Sequence, residues 1–147
     1  MALPTGSGTE TLHAHSFQEI DGDQTLIFGV QHHVYTVLSI IVYCNVLNAI
    51  TDKFGLAFVG YDGHAGASGV TTNFANPNIQ VGETFVWNDK FSFNGVEPTT
   101  SSTVLSAAQQ IQVAAQSGSA VQSIKFTVAN AADDYDVLVT YLDQDWS

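Results

Sequence analysis

Five histidines, fourteen carboxylates and one thiol are the groups in this 147-residue chain with the most obvious capacity for chemistry. His13 and His15 stand two apart, which puts both rings on one face of any extended segment, and Asp21 and Asp23 follow closely. A catalytic zinc centre needs three convergent ligands and a base. The local sequence supplies only the pair, so these are expected to be solvated arm residues and no metal site is assigned. His32 and His33 are adjacent, and on a strand their rings point to opposite faces. Asp21-x-Asp23 and the group Asp133, Asp134, Asp136 lack the central glycine and closing glutamate of a calcium loop; they read as turn carboxylates and charges that guard strand edges. Ser68-Gly69 lacks the strand-turn-helix setting of a nucleophile elbow, and the glycine-rich segment from Asp62 to Gly69 lacks the Lys-Ser/Thr ending of a phosphate cradle. Only paired carboxylates meeting across a sheet, as in glycoside hydrolysis, escape a test by spacing. Cys44 lies in an apolar run and reads as a buried small hydrophobe, and a lone cysteine excludes an intrachain disulfide and a cysteine zinc cage. No catalytic residue, metal or cofactor is assigned.

The charge balance narrows the partners. Three lysines (Lys53, Lys90, Lys125), no arginine and a net charge of −11 would repel a phosphate backbone and supply no guanidinium forks. Nucleic acid and phosphoryl transfer are therefore poor fits. The first ten residues show neither a basic region nor an apolar stretch, so no secretory signal is expected. The longest apolar run, Val34 to Val46, is too short to cross a bilayer, and no membrane partner is expected.

These groups must be positioned by one domain, since 15.7 kDa fits a single core. Residues 1–16 read as an N-terminal arm, with Leu3, Leu12 and Phe17 as candidate anchors on a neighbouring subunit, and residues 17–147 as the domain. Short β-type runs divided by turn residues follow: Gln24 to Val30, Val34 to Val46, Phe54 to Tyr61, Thr84 to Phe93, Val121 to Ala129 and Tyr135 to Tyr141. In the second of these nearly every position is apolar, which fits a central strand or one whose outer face meets another subunit; Tyr35, Val37, Ile41 and Tyr43 are the candidate contacts. Phe85, Trp87, Phe91 and Phe93 share a face directed at the core. Asp89 shares it too, which requires a bulge or a hairpin corner at Asn88-Asp89. The last two runs are expected to form a hairpin. Residues 103–116 carry both a helical pattern, behind the capping candidates Ser101, Ser102 and Thr103, and an alternating one. With no other helical signal, about eight strands must bury their apolar faces against each other, as in an all-β antiparallel sandwich of jelly-roll type.

Two C-terminal stretches, Leu105-Ser-Ala-Ala-Gln-Gln-Ile-Gln-Val113 and Asp134-Tyr-Asp-Val-Leu-Val-Thr-Tyr-Leu-Asp143, resemble the end of small tailed-phage virion proteins. Val34-Tyr-Thr-Val-Leu-Ser-Ile-Ile-Val-Tyr-Cys-Asn45 is similar to an early strand of the same family. Ala108-Gln109 departs from the Gly-Asp usual there. The resemblance favours strand over helix for Ile111 to Ala115. It implies a non-enzymatic structural role, most specifically a capsid decoration (cement) protein. Such a protein would work as a homo-oligomer, a trimer, bound to the major capsid protein or another virion protein on the capsid exterior. The alternative from the residues is a receptor- or carbohydrate-binding sandwich of a phage tail or collar, using the glycine-rich loop and Trp87 or Trp146.

Overall fold

Two antiparallel sheets face each other across an aromatic and aliphatic core in the computed structural model, which describes residues 9–99 and 105–146. The strands are β1 (Thr9–Ile20), β2 (Gln24–Phe28), β3 (His33–Val46), β4 (Phe54–Asp62), β5 (Ala67–Ala75), β6 (Thr84–Trp87), β7 (Phe91–Asn94), β8 (Val96–Pro98), β9 (Ser119–Val121), β10 (Ser123–Val128) and β11 (Asp134–Asp145); one helix, α1 (Ala107–Ala114), is described. The first sheet runs β1-β11-β3-β6, with β7 also on β3, and the second runs β2-β10-β4-β5. Among the described residues eleven strands therefore stand where about eight were expected, for two reasons. β6 and β7 follow one another along the same edge of β3, and β8 and β9 form a small separate pair. With β6 and β7 counted as one lane, successive lanes switch sheets except at β4 and β5, which pair within the second sheet, and this is jelly-roll order.

Side-chain alternation explains the core. Ile124 and Phe126 of β10, with Phe54 and Leu56 of β4, meet Val137, Val139 and Tyr135 of β11 and Ile40 and Val42 of β3, all fully or almost fully buried. The Phe54, Phe126 and Tyr135 rings lie 5.3–5.4 Å apart at the centre, within the range in which aromatic pairs add to simple burial.

Four expectations are corrected. Thr9 to Ser16, read as arm, form the outer strand of the first sheet, hydrogen-bonded along β11 from Thr9↔Asp145 to Phe17↔Val137; alternating Thr, Leu, Ala and Ser with His supplies a strand that needed only a partner edge. Leu3 lies outside the described residues, as do Ser101, Ser102 and Thr103. β10 and β11 are no hairpin, since they belong to different sheets. Residues 107–114 are helical and not strand, because Ser106 closes a capping box: its Oγ accepts from Gln109 N and its own N–H donates to Gln109 Oε1. That box and the helix-favouring Ala and Gln outweigh the weak alternation. The last three residues of the glycine-rich segment, Ala67 to Gly69, begin strand β5, the edge of the second sheet.

Neighbouring backbone leaves no room for a Cβ where Gly29 meets Gly95. Gly95 N–H donates to His33 O, and its carbonyl accepts from Gln122 N. A Cβ on Gly95 would overlap the Val30 backbone. Gly95→Ala is expected to cost about 3 kcal/mol of stability, read as a lower urea midpoint, whereas Gly63→Ala, where a Cβ meets open space, should leave the midpoint close to wild type.

Candidate functional site

On the outer face of the first sheet several apolar side chains have no layer above them among the described residues. Register places Ser16, Leu138, Ile41 and Val86 in one row across β1, β11, β3 and β6. Leu12 and Leu142 pair one edge further along, and Tyr43 lies between Asp136 and Thr84. Leu12 is 65% exposed, Val86 51%, Tyr43 41% and Leu138 38%. Their chain neighbours Val137, Val139, Val42 and Cys44 are buried on the opposite face, so these outer positions are not needed for the core. Asp136 belongs to the same face, and its carboxylate is already engaged, accepting from Glu19 N at 3.0 Å where a bulge interrupts β1.

Of the anchors proposed from sequence, Leu12 and Tyr43 are exposed here and Ile41 is half-buried. Phe17 is half-buried against the core. Tyr35 and Val37 are corrected: both are buried inside the sandwich. The reason is a bulge in β3. Thr140 pairs with Ser39 and Tyr141 with Val37, leaving Leu38 as the extra residue, and one extra residue reverses which side chains face the core. Val86, Leu138 and Leu142 were missed. The available signal was that Leu138 and Leu142 fall in phase with Asp136 and Thr140, on the side expected to be polar.

The sandwich opens into a cleft at each lateral edge. Between β5 and the β6–β7 lane, a cleft of about 400 Å³ is walled by Phe58, Phe74, Trp87, Phe91, Ser92 and Phe93. Trp87 is half-buried there, with Phe74 at 5.0 Å. Its indole N–H donates to Asp89 O at 2.9 Å as the chain steps out of the ladder between β6 and β7, turning Asp89 to solvent. A sugar platform needs polar groups beside the ring, and this wall spends its indole donor internally. Trp146 is 47% exposed with its ring 4.4 Å from that of His32. At the other edge, between β1 and β2, a cleft of about 380 Å³ carries His13, His15, Tyr35, Tyr141 and Asp143.

Burial sets the state of several titratable groups. It pushes Tyr35 up to about 12, with Asp143 adding to the shift, and raises Tyr141 likewise, so both phenols stay neutral. Cys44 is buried, and burial followed by the charge of Asp133 raises its thiol, opposite to what a nucleophile needs. Asp133, read from sequence as a turn carboxylate, is buried. It ties two loops together by accepting from Asn48 N at 2.7 Å and Asn130 N at 3.2 Å.

No protein-family model matches the chain, and no characterised protein matches it in sequence. Among solved structures it is similar to one from Bacillus endospore appendages, described as disulfide-linked pili. The two are 9% identical, over 100% of this chain and 98% of that one, at a TM-score of 0.42. It is also similar to the structure of infectious bursal disease virus Gx strain, at 8% identity over 95% of this chain and 33% of that one, TM-score 0.46. A third is the Yersinia pseudotuberculosis-derived mitogen, at 9% identity over 90% and 85%, TM-score 0.29. The chain thus spans about a third of the viral chain. At these scores function has to be read from this chain's own surfaces.

Asp133 generates a pH dependence. Its pKa is raised above the ordinary 3.8, first by burial and further by the carboxyl of Asp52, against the pull of the Asn48 and Asn130 amides. The folded chain thus holds this proton more tightly than the unfolded one. The stability it contributes is complete below the unfolded value and is lost as pH rises through the folded value. Asp52→Asn removes the like charge, so the unfolding free energy is expected to fall less between about pH 4 and pH 7 than in wild type. Urea titrations across that range check it; parallel profiles would refute the assignment.

Proposed function

We propose that the chain is a non-enzymatic structural subunit of a virion, a capsid decoration protein that reinforces the shell from outside as a homo-oligomer, with a trimer expected. The observation that carries this reading is the uncovered apolar row Leu138–Ile41–Val86, flanked by Leu12 and Tyr43, on a sheet whose other face already makes the core. Exposed apolar patches of this kind mark association surfaces, and large side chains at their centre carry most of the binding energy.

Two further features support it. The jelly-roll order of strands is one that shell proteins use, although lectins and cupins use it too, so topology alone is analogy. A net charge of −11 without arginine disfavours contact with packaged nucleic acid and favours the exterior. Repetition over many lattice points lets modest contacts at each point suffice. The major capsid protein is the partner this reading implies.

Sedimentation equilibrium of the purified chain, together with co-sedimentation with capsid shells, tests the proposal. Wild type is expected to assemble and to saturate the shells. Val86→Asp combined with Leu138→Asp, both at exposed positions, should weaken association at least about 30-fold, roughly 2 kcal/mol, with an unchanged circular dichroism spectrum. A wild-type chain that stays monomeric and leaves shells unbound would overturn the reading.

A further inference from the structure

His13 and His15 have no part in the apolar face described above. They lie on the other side of β1, at the mouth of the cleft between β1 and β2. Strand β1 fixes them two residues apart on one face, with ring centroids 5.1 Å from each other. Tyr141 of β11 holds both rings: His13 stacks on it at 5.0 Å, and His15 meets it edge-on at 5.6 Å. Asp143, two residues further along β11, has one carboxylate oxygen 2.7 Å from His33 Nδ1. Its other oxygen is 3.9 Å from His13 Nε2, too long for a hydrogen bond. His33 also faces Asp145 at 3.7 Å. Two imidazoles are thus held edge to face on one side of β1, with His13 next to a carboxylate that a third imidazole engages. Phe17 and Phe28 line the same cleft.

We propose that His13 and His15 chelate a divalent late first-row transition ion, with Zn²⁺ as the probe, at the mouth of the cleft between β1 and β2, and that Asp143 is its carboxylate neighbour. Among the described residues no three metal-ligating groups already surround one point. The chain therefore supplies a two-nitrogen chelate and water completes the coordination, with Asp143 placed to accept a hydrogen bond from ion-bound water. Imidazole nitrogen selects zinc, nickel and copper over calcium and magnesium, which prefer oxygen. The net charge of −11 raises the local cation concentration. Asp143, oriented by His33, supplies the outer-shell partner that such sites use.

Isothermal titration of the metal-free full chain with Zn²⁺ at neutral pH tests the proposal, alongside histidine proton resonances followed during addition of Ni²⁺. One saturable Zn²⁺ per chain is expected, with a higher Tm, because the ion binds the folded strand. Ni²⁺ should broaden the His13 and His15 ring protons before those of His64. His15→Gln, at an exposed position, and His13→Ala should each abolish stoichiometric binding, Asp143→Asn should weaken it about tenfold, and His64→Ala should leave it unchanged. His15→Gln keeps the test decisive if His13→Ala disturbs the stack on Tyr141. No saturable Zn²⁺ binding, undiminished binding in His15→Gln, or equal binding of Ca²⁺ would overturn the site.

Discussion

The structure depends on which way β3 faces at each residue, and one extra residue, Leu38, decides it. β3 is the widest hub of the first sheet, paired with β11 on one side and with β6 and β7 on the other. N-terminal to Leu38 the odd-numbered Tyr35 and Val37 point into the sandwich; C-terminal to it the even-numbered Ile40, Val42 and Cys44 do. The partner lane adjusts at the same place, because β6 ends and β7 begins opposite the bulge, with Asn88 to Lys90 outside the ladder. Reversing the parity of the C-terminal half would expose Val42 and Cys44 and bury Tyr43 against the second sheet, so core and candidate docking face are set together.

Legibility in the sequence follows the contrast between the two faces of each strand. β10 alternates Ile124, Phe126 and Val128 with Ser123, Lys125 and Thr127, and β11 alternates Tyr135, Val137, Val139 and Tyr141 with polar Asp136 and Thr140; in both, the inward side is readable and correct. β3 is apolar on both faces, so nothing in its composition marks the bulge, and a regular alternation carried across it put Tyr35 and Val37 on the wrong side. β1 has little apolar content of its own and becomes a strand by pairing along β11, a long-range contact that a local pattern does not carry. The helix at 107–114 was written in Ser106 and Gln109, a capping box that competed with an alternating pattern over the same residues. Buried Gln116 and Asp133 were invisible because their burial is repaid by distant backbone groups, Val96 O and His32 N for the first and Asn48 N for the second.

The division of labour within the sandwich is physical. The inner faces hold Phe54 stacked on Phe126, with the Tyr135 ring edge-on to both. The outer face of the first sheet carries Leu12, Val86, Tyr43 and Leu138 exposed, outside that core. The two lateral clefts differ in kind, one lined by aromatic carbon and the other by imidazole and carboxylate. The chain is acidic, at a net charge of −11, and has no arginine.

Maleimide labelling of Tyr43→Cys, compared between dilute and assembled protein, tests the claim that one face of β3 is core and the other a contact surface. The new thiol is expected to react readily in the dilute chain while native Cys44, its neighbour, stays silent, and to become protected on assembly. Reaction at Cys44 in the folded chain, or a thiol at position 43 equally reactive before and after assembly, would contradict the account.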